Sequence, residues 1–220
     1  MKYYEAYEER YKTIHQKGYS WSSDKATPIV LEIINKYSIK KEDHILEIGC
    51  GEGRDANELL SAGFNLLATD ISREAIKYCQ SINPTYTSRF KVFDCLNGID
   101  EHKYSFIYAI ALIHMLVLDE DRNKLYQFIY NHLLDNGVAL ICSMGDGEFE
   151  YVSNINEAFD IQTREHSSGN VEVAATSCRM VSFKTMEKEI INNKLKIIEK
   201  GITASLPDFN SLMYVVIKKA

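Results

Sequence analysis

The 220-residue chain predicts an α/β fold with a mostly parallel sheet. Short apolar segments that suit buried strands alternate with longer segments in which apolar residues recur every three or four positions, as in amphipathic helices. The segment 104–110 is too continuously apolar for a sheet with one wet face, and this is typical of a sheet covered by helices on both sides. A further strand-like segment ends in glycines at positions 49, 51 and 53, directly before a helical pattern.

Length and composition favour a single globular domain over residues 1–220. The net charge is −6 and there is no run of five or six lysines and arginines, so nucleic acid is not expected as a partner. The first residues lack an apolar signal core and no stretch of eighteen apolar residues occurs, so we expect a cytoplasmic protein that does not enter membranes. Five scattered cysteines without C-x-x-C spacing predict reduced thiols and no metal site.

The chain opens with an amphipathic helix. Tyr4, Tyr7, Tyr11 and Ile14 recur at helical spacing, with charged residues on the other face, and Gly18 ends the pattern. Packing is the ordinary role of such an aromatic stripe.

The glycine-rich segment between His44 and Ala56 dominates the functional interpretation. An apolar strand stops at the glycines and a helix follows, so the backbone turns sharply beside a helix N-terminus, where a nucleotide-like ligand can bind. A dinucleotide fingerprint requires glycine or alanine at its third position, which counted from Gly49 is Arg54. A nicotinamide cofactor is therefore disfavoured, and a glycine-rich turn without a ligand is the simplest alternative.

The segment resembles motif I of class I S-adenosylmethionine-dependent methyltransferases, an acidic residue followed by G-x-G-x-G. By this resemblance the turn lies against the amino-acid end of S-adenosyl-L-methionine. Arg54 opens the following helix, where it either steadies the turn or reaches the carboxylate of the cofactor. The residues assigned to this part of the cofactor site are Glu47, Gly49, Cys50, Gly51, Gly53 and Arg54.

Asp70 ends the second predicted strand, about twenty residues past the glycine turn, where a carboxylate can accept hydrogen bonds from both hydroxyls of a ribose. Its alternative role is to cap the helix that starts near Ser72. Ile71, the next residue, is assigned to the same part of the site.

The resemblance also assigns the adenine end of the cofactor. It implies that Asp94 and Cys95, which follow the third strand, meet the adenine, although an aspartate there also suits a plain turn. Ala109, late in the fourth strand, is expected at the edge of the cofactor.

The resemblance further limits the acceptor. Methylases of nucleic-acid bases and of some glutamines carry an Asn/Asp-Pro-Pro-aromatic tetrad after strand four, and this sequence has Ala109-Ile-Ala-Leu-Ile-His instead. A small-molecule acceptor is therefore expected. His114 is a candidate general base, since imidazole titrates near neutral pH, although a histidine among apolar neighbours is more often a packing residue.

The substrate assignments are less specific. In small-molecule methyltransferases of this kind an N-terminal helix and an aromatic loop close over the cofactor, which makes Tyr11 and Tyr19 candidate substrate residues and Trp21 a candidate cofactor contact. Asp146 follows the fifth strand at the edge of the sheet where ligands bind, and a solvated turn explains it almost as well.

As a whole, the resemblance implies a Rossmann-like seven-stranded sheet with helices on both faces, an antiparallel last strand and an N-terminal helical lid. We divide the chain into the lid (1–24), a cofactor-binding core (25–147), a polar and irregular insertion that covers the substrate (148–180) and a C-terminal helix with a strand hairpin (181–220). The predicted activity is methyl transfer to a small molecule, by a monomer or homodimer. A cofactor-binding sensor or partner subunit without transfer activity and, less favoured, an NAD-dependent oxidoreductase are the alternatives.

Overall fold

The computed structural model describes residues 2–21, 25–203 and 211–220. The helices are α1 (Ala6–Gln16), α2 (Pro28–Lys36), α3 (Arg54–Ser61), α4 (Arg73–Ile82), α5 (Asp119–His132) and α6 (Phe183–Asn192). The strands are β1 (Ile45–Ile48), β2 (Leu66–Asp70), β3 (Phe90–Val92), β4 (Tyr104–Ile110), β5 (Leu133–Met144), β6 (Tyr151–Val152), β7 (Ile161–His166), β8 (Gly169–Ala174), β9 (Arg179–Met180), β10 (Leu195–Thr203) and β11 (Leu212–Lys219).

The main sheet has seven strands in the order β10-β11-β5-β4-β1-β2-β3. Strands β1 to β5 pair in parallel, whereas β11 is antiparallel to both β5 and β10. The predicted fold class, with its antiparallel last strand and N-terminal helix, is confirmed. From β1 the chain proceeds to β2 and β3 on one side and returns to β4 and β5 on the other. The strand order therefore reverses beside β1, and ligands of open α/β sheets bind at the carboxyl ends of the strands at such a point.

Apolar layers cover both faces of the sheet. On one face, α2 and α3 bury Ile33 and Leu59 against the strands, and on the other, α5 and α6 bury Ile129 and Ile190. This explains why β4 is almost continuously apolar, since all of its residues except Ser105 are buried.

Two local features differ from the sequence pattern. Residues 134–137 (Leu-Asp-Asn-Gly) predict a turn into a strand that starts at Val138, whereas β5 begins at Leu133, which is fully buried and pairs with Tyr104, and the pairing with β4 resumes at Val138. A register irregularity between Tyr104 and Phe106 accommodates this early entry into the sheet. The insertion was expected to be irregular, but β7 and β8 form an antiparallel hairpin and β6 pairs with β9.

The hairpin is explained by the packing of β8. Val171 and Val173, two positions apart, are buried against Ile14 of α1, while Glu172 between them faces solvent. A strand this short, with its partner β7 polar along most of its length, gives only a weak pattern in the sequence. Across the described ranges, none of the helices has both the length and the apolar character needed to span a membrane.

Candidate active site

The glycine turn leaves β1 and is tied to β2 by the backbone. The N–H groups of Gly49 and Cys50 both donate to the carbonyl oxygen of Thr69, at 2.8 and 2.9 Å. Gly51 has φ +53°, and a Cβ atom there would lie 2.6 Å from the hydroxyl oxygen of Tyr11. A Cβ atom at Gly49, where φ is +75°, would lie 2.8 Å from Leu112 Cδ1. Both the backbone conformation and the close packing therefore require glycine.

Asp70 holds the turn from the end of β2. Its two carboxylate oxygens accept hydrogen bonds from the N–H groups of Gly51 and Ser72, each at 2.8 Å. Ser72 itself is the N-cap of α4, since its hydroxyl accepts from Ala75 N–H at 3.0 Å. Burial raises the pKa of Asp70, and the two N–H donors oppose that rise. Since a carboxylate has about four acceptor positions, Asp70 has acceptor capacity left for a ligand.

A cleft of about 640 Å³, partly open to solvent, lies over these strand ends. Its core side is formed by the turn, by Asp70 and Ile71, and by the segments that follow β3 and β4. The other side belongs to the N-terminal lid, which in the structure comprises residues 2–21. The lining residues are Tyr4, Tyr7 and Tyr11 from the lid and Ile48, Gly49, Asp70, Ile71, Phe93, Asp94, Cys95, Leu96, Leu112, Met115 and Leu116 from the core side.

Asp94 and Cys95 form the far end of the cleft. One oxygen of Asp94 accepts from Leu96 N–H at 2.9 Å, and the other accepts from the side-chain amide of Asn97 at 2.8 Å. The ammonium group of Lys2 lies 3.4 Å from that second oxygen. Burial raises the pKa of the Cys95 thiol far above neutrality, so the thiol stays protonated. The cleft thus joins Gly49, Asp70 and Asp94, which end or follow three neighbouring strands.

Glu47 and Arg54 lie outside the residues that line the cleft. Glu47 is buried, accepts a hydrogen bond from the hydroxyl of Tyr108 at 3.0 Å, and has its pKa raised well above the ordinary range by burial. Arg54 donates to Asp55 at 3.2 Å and to the hydroxyl of Thr27 at 3.0 Å. These contacts join the start of α3 to the residue before α2, and both roles predicted for Arg54 remain predictions.

Other predicted cofactor residues are also placed near the cleft without lining it. Cys50 and Ala109 are buried, at 7% and 1% exposure, and Gly53, with φ +80°, is the N-cap of α3. Direct contact of these residues with the cofactor remains a prediction.

His114 lies beneath the core side, in a 3₁₀ turn (Ile113–Met115) whose Met115 lines the cleft. It is 3% exposed and its Nδ1 accepts from Met144 N–H at 3.4 Å. Burial, assisted by the positive charge of Arg122, lowers the pKa of His114 to about 4. The side chain is therefore neutral at pH 7 and a weak base. Its catalytic role remains a prediction.

The N-terminal lid is fastened to the hairpin of the insertion. Arg10, which the sequence pattern placed on a polar face, is 5% exposed and donates to the carbonyl oxygens of Ala174 and Ala175, each at 2.8 Å. Its guanidinium lies 4.8 Å from the ring centroid of Trp21. The contacts with Ala174 and Ala175 join residues about 165 positions apart, and no local signal in the sequence indicates them.

Tyr19 and Trp21 belong to the same junction. Their rings stack on His166, with centroid distances of 5.7 and 5.8 Å. Of the three predicted lid residues, Tyr11 is the one that lines the cleft. Asp146 is exposed and accepts from the N–H groups of Glu148 and Phe149, which makes it part of a local turn. The substrate roles of these residues remain predictions.

Glu52 connects the lid to the glycine turn, a role that the sequence analysis missed. It is 3% exposed, and one of its oxygens lies 2.8 Å from both His15 Nε2 and the backbone N–H of Trp21. The ring of His15 stacks between Tyr11 and Tyr78, with centroid distances of 5.9 and 4.6 Å. The only sequence feature that could have indicated this role is the position of an acidic residue between two glycines. Over the described part of the chain, no group of three or more His, Cys, Asp or Glu side chains could hold a metal ion.

Comparison with known proteins agrees with this site. Residues 46–139, which include the glycine turn, Asp70 and Asp94, match a family described as a methyltransferase domain. A curated ubiquinone biosynthesis O-methyltransferase of Rickettsia canadensis is 27% identical over 130 residues, which are 58% of this chain and 53% of the relative. The chain thus spans about half the length of that relative.

Solved structures share the fold across most of the chain. The CcbJ methyltransferase from Streptomyces caelestis has a TM-score of 0.70 at 14% identity, covering 97% of this chain and 99% of its own. The glycopeptide N-methyltransferase MtfA, solved with S-adenosyl-L-methionine, has a TM-score of 0.67 at 14% identity, covering 89% of this chain and 95% of its own. With the cleft geometry, these findings support the predicted resemblance: residues 46–139 match a methyltransferase domain, and the chain shares its fold with solved methyltransferases over most of its length.

Proposed function

We propose that this protein transfers the methyl group of S-adenosyl-L-methionine to a small-molecule acceptor by in-line displacement. The observation that carries the proposal is the cleft in which the glycine turn, Asp70 and Asp94 meet at neighbouring strand ends. These groups are spaced along the cleft in the order that an amino-acid, a ribose and an adenine portion require. The sulfonium of the bound donor supplies an activated methyl group and a good leaving group.

The residues of the chain then have to orient donor and acceptor and exclude water. Orientation alone can supply on the order of 7–11 kcal/mol of a barrier. The rigid turn, held by Asp70 and by Thr69, and the rings of the lid suit that task. His114, neutral and beneath the cleft wall, is not needed as a base for an acceptor that is already deprotonated, such as a phenolate, or for an uncharged amine, which loses its proton to water after the transfer.

The lining also supports an acceptor with an apolar or aromatic body. Besides Asp70 and Asp94, which we assign to the donor, the lining consists of phenolic, apolar, thiol and glycine groups. The curated relative is named as an O-methyltransferase of ubiquinone biosynthesis, and one solved neighbour as an N-methyltransferase of a glycopeptide. Because these names include both oxygen and nitrogen acceptors, we leave the methylated atom open.

Calorimetric titration with S-adenosylhomocysteine tests the donor assignment. We expect the wild type to bind it, and to bind its 2′-deoxy analogue more weakly, because Asp70 would lose one hydroxyl donor. Asp70→Ala should bind both ligands weakly and with similar affinity, whereas Asp135→Ala, which removes an exposed carboxylate, should behave as the wild type. Unchanged affinity in Asp70→Ala would exclude the ribose assignment.

Turnover tests the transfer itself. Labelled donor, offered with a panel of thiols, amines, phenols and carboxylates, should label at least one small acceptor, with the best rates among apolar and aromatic compounds. Binding of S-adenosylhomocysteine without transfer to any acceptor would instead favour the sensor or partner-subunit alternative. The match to a methyltransferase domain family supports the enzyme.

A further inference from the structure

The hydroxyl group of Tyr4 is a polar group in the cleft whose proton has no acceptor among the described residues. Tyr4 is 7% exposed and lines the cleft, and its hydroxyl oxygen is buried without a well-formed hydrogen bond in the described part of the chain. The Lys2 ammonium interacts with this oxygen, but an ammonium can only donate. Buried hydroxyl groups are nearly always paired, because leaving one unpaired costs free energy. An unpaired hydroxyl beside a cleft therefore indicates a ligand that completes it.

The position of Tyr4 indicates which end of the cleft it serves. The neighbouring Lys2 places its ammonium 3.4 Å from Asp94 and 5.4 Å from the ring centroid of Tyr4. The tip of the lid thus lies over the corner that Asp94 forms. Asp94 and Cys95 also line the cleft, and they are the residues we assign to the adenine of the donor.

The ring of Tyr4 is fixed from behind by Tyr3. The two rings meet edge to face, with a centroid distance of 5.2 Å. Tyr3 is itself anchored, because its hydroxyl donates to Asp121 at 2.7 Å and accepts from Val117 N–H at 3.0 Å. Tyr4 is therefore held in place before a ligand arrives, which limits the entropic cost of using it.

The phenol of Tyr4 is in the right protonation state to donate. Burial raises its pKa above the ordinary value, against the opposing effect of the Lys2 ammonium. A neutral phenol donates a proton in a hydrogen bond, whereas the carboxylate of Asp94 accepts one. Adenine has an amino group that donates and ring nitrogens that accept, so the two side chains match its edge.

We propose that Tyr4 binds the adenine of the donor, with its hydroxyl donating a hydrogen bond to a ring nitrogen while Asp94 accepts from the amino group. This inference rests on the proposed function and assigns a residue of the lid to the donor rather than to the acceptor. The first residues of the chain would then recognise the base and close that end of the cleft.

The test compares Tyr4→Phe with Tyr104→Phe. Tyr104 is also buried, at 3% exposure, but its hydroxyl is paired with Asp100 at 2.7 Å, in a part of β4 that does not line the cleft. Calorimetry with S-adenosylhomocysteine and with adenosine, together with thermal unfolding of the ligand-free protein, is measured for both variants and the wild type.

We expect Tyr4→Phe to weaken both ligands by about 3- to 10-fold, the value of one neutral hydrogen bond. Its unfolding temperature without ligand should stay the same or rise, because the variant removes an unpaired buried hydroxyl. Tyr104→Phe should show the opposite pattern, with a lower unfolding temperature and unchanged affinities.

Three results would overturn the proposal in distinguishable ways. If the wild type binds neither ligand, both the proposed function and this inference fail. If the wild type binds and Tyr4→Phe binds equally well, only the assignment of Tyr4 fails. If Tyr4→Phe raises the KM of an acceptor and leaves the affinity for S-adenosylhomocysteine unchanged, the hydroxyl serves the acceptor instead.

Discussion

The two sides of the cleft differ in whether their polar groups already have hydrogen-bond partners within the protein. On the core side the polar groups already hold one another: Asp70 bonds to Gly51, and Asp94 bonds to Leu96 and Asn97. On the lid side the proton of the Tyr4 hydroxyl has no acceptor among the residues that the structure describes. The core side is therefore a rigid template for the donor, whereas the lid includes a group that only a ligand completes.

The largest effect should come from adding one carbon atom to the core side. Gly51→Ala places a Cβ atom 2.6 Å from Tyr11 Oη, at a φ of +53°. The backbone strain costs about 1–3 kcal/mol, and it displaces the turn and Tyr11, both of which contribute to the lining of the cleft. We expect calorimetric binding of S-adenosylhomocysteine to fall by about 10- to 100-fold, because the ligand then has to restore this geometry and 1.4 kcal/mol corresponds to tenfold in affinity.

Gly63→Ala is the matched control for this change. Gly63 also has a positive φ, +85°, but a new Cβ atom there would come no closer than 4.0 Å to Lys41 Nζ, and Gly63 follows α3, away from the cleft. This control should lose stability and keep its affinity. If both variants lose affinity equally, backbone strain anywhere in the fold explains the loss, and the core side is not a special template.

The same contrast explains what the sequence could predict. The core site depends on local spacing, because a glycine turn and acids at the ends of neighbouring strands meet once the parallel sheet forms. Asp70 was predicted for this reason and Asp94 from the family resemblance, and both line the cleft. The lid depends on contacts between distant segments, such as Arg10 with Ala174, and no periodicity records them. Glu52 was missed because its partners, His15 and Trp21, are likewise remote.

The second effect concerns His114, which lies beneath the core side of the cleft, and the pH dependence of stability that it causes. Folding lowers the pKa of His114 from 6.5 to about 4. At pH values between 4 and 6.5 His114 is therefore mostly protonated in the unfolded chain and mostly neutral in the folded protein. The stabilisation is complete above pH 6.5 and is lost as the pH falls toward 4. His114→Asn keeps an acceptor for Met144 N–H and removes the titration. Between pH 7 and pH 4.5 the wild type should lose roughly 2–3 kcal/mol more unfolding free energy than this variant.

Urea unfolding of both proteins at the two pH values measures this difference. Other groups titrate in the same range, but they are common to both proteins and cancel in the comparison. Equal losses in wild type and variant would mean that folding does not lower the pKa of His114. The imidazole would then titrate near its ordinary value of 6.5, and a role as a general base near neutral pH would gain support.

The smallest effect should come from a variant that weakens the contact between the lid and the core side of the cleft. Glu52→Ala removes the carboxylate that His15 and the backbone of Trp21 share, and it leaves the buried N–H group of Trp21 without its partner. We expect the unfolding free energy to fall by about 1–3 kcal/mol. Amide hydrogen exchange should become faster in α1 and stay unchanged in β1 and β4.

Glu58→Ala is the control, since it removes an exposed glutamate from the helix that follows the same turn. It should leave exchange in α1 unchanged. If Glu52→Ala also leaves α1 protected, the junction of Arg10 with the hairpin holds the lid without help from the turn. If exchange rises in β1 together with α1, Glu52 stabilises the whole fold, and the lid and the core side unfold as one cooperative unit rather than as two.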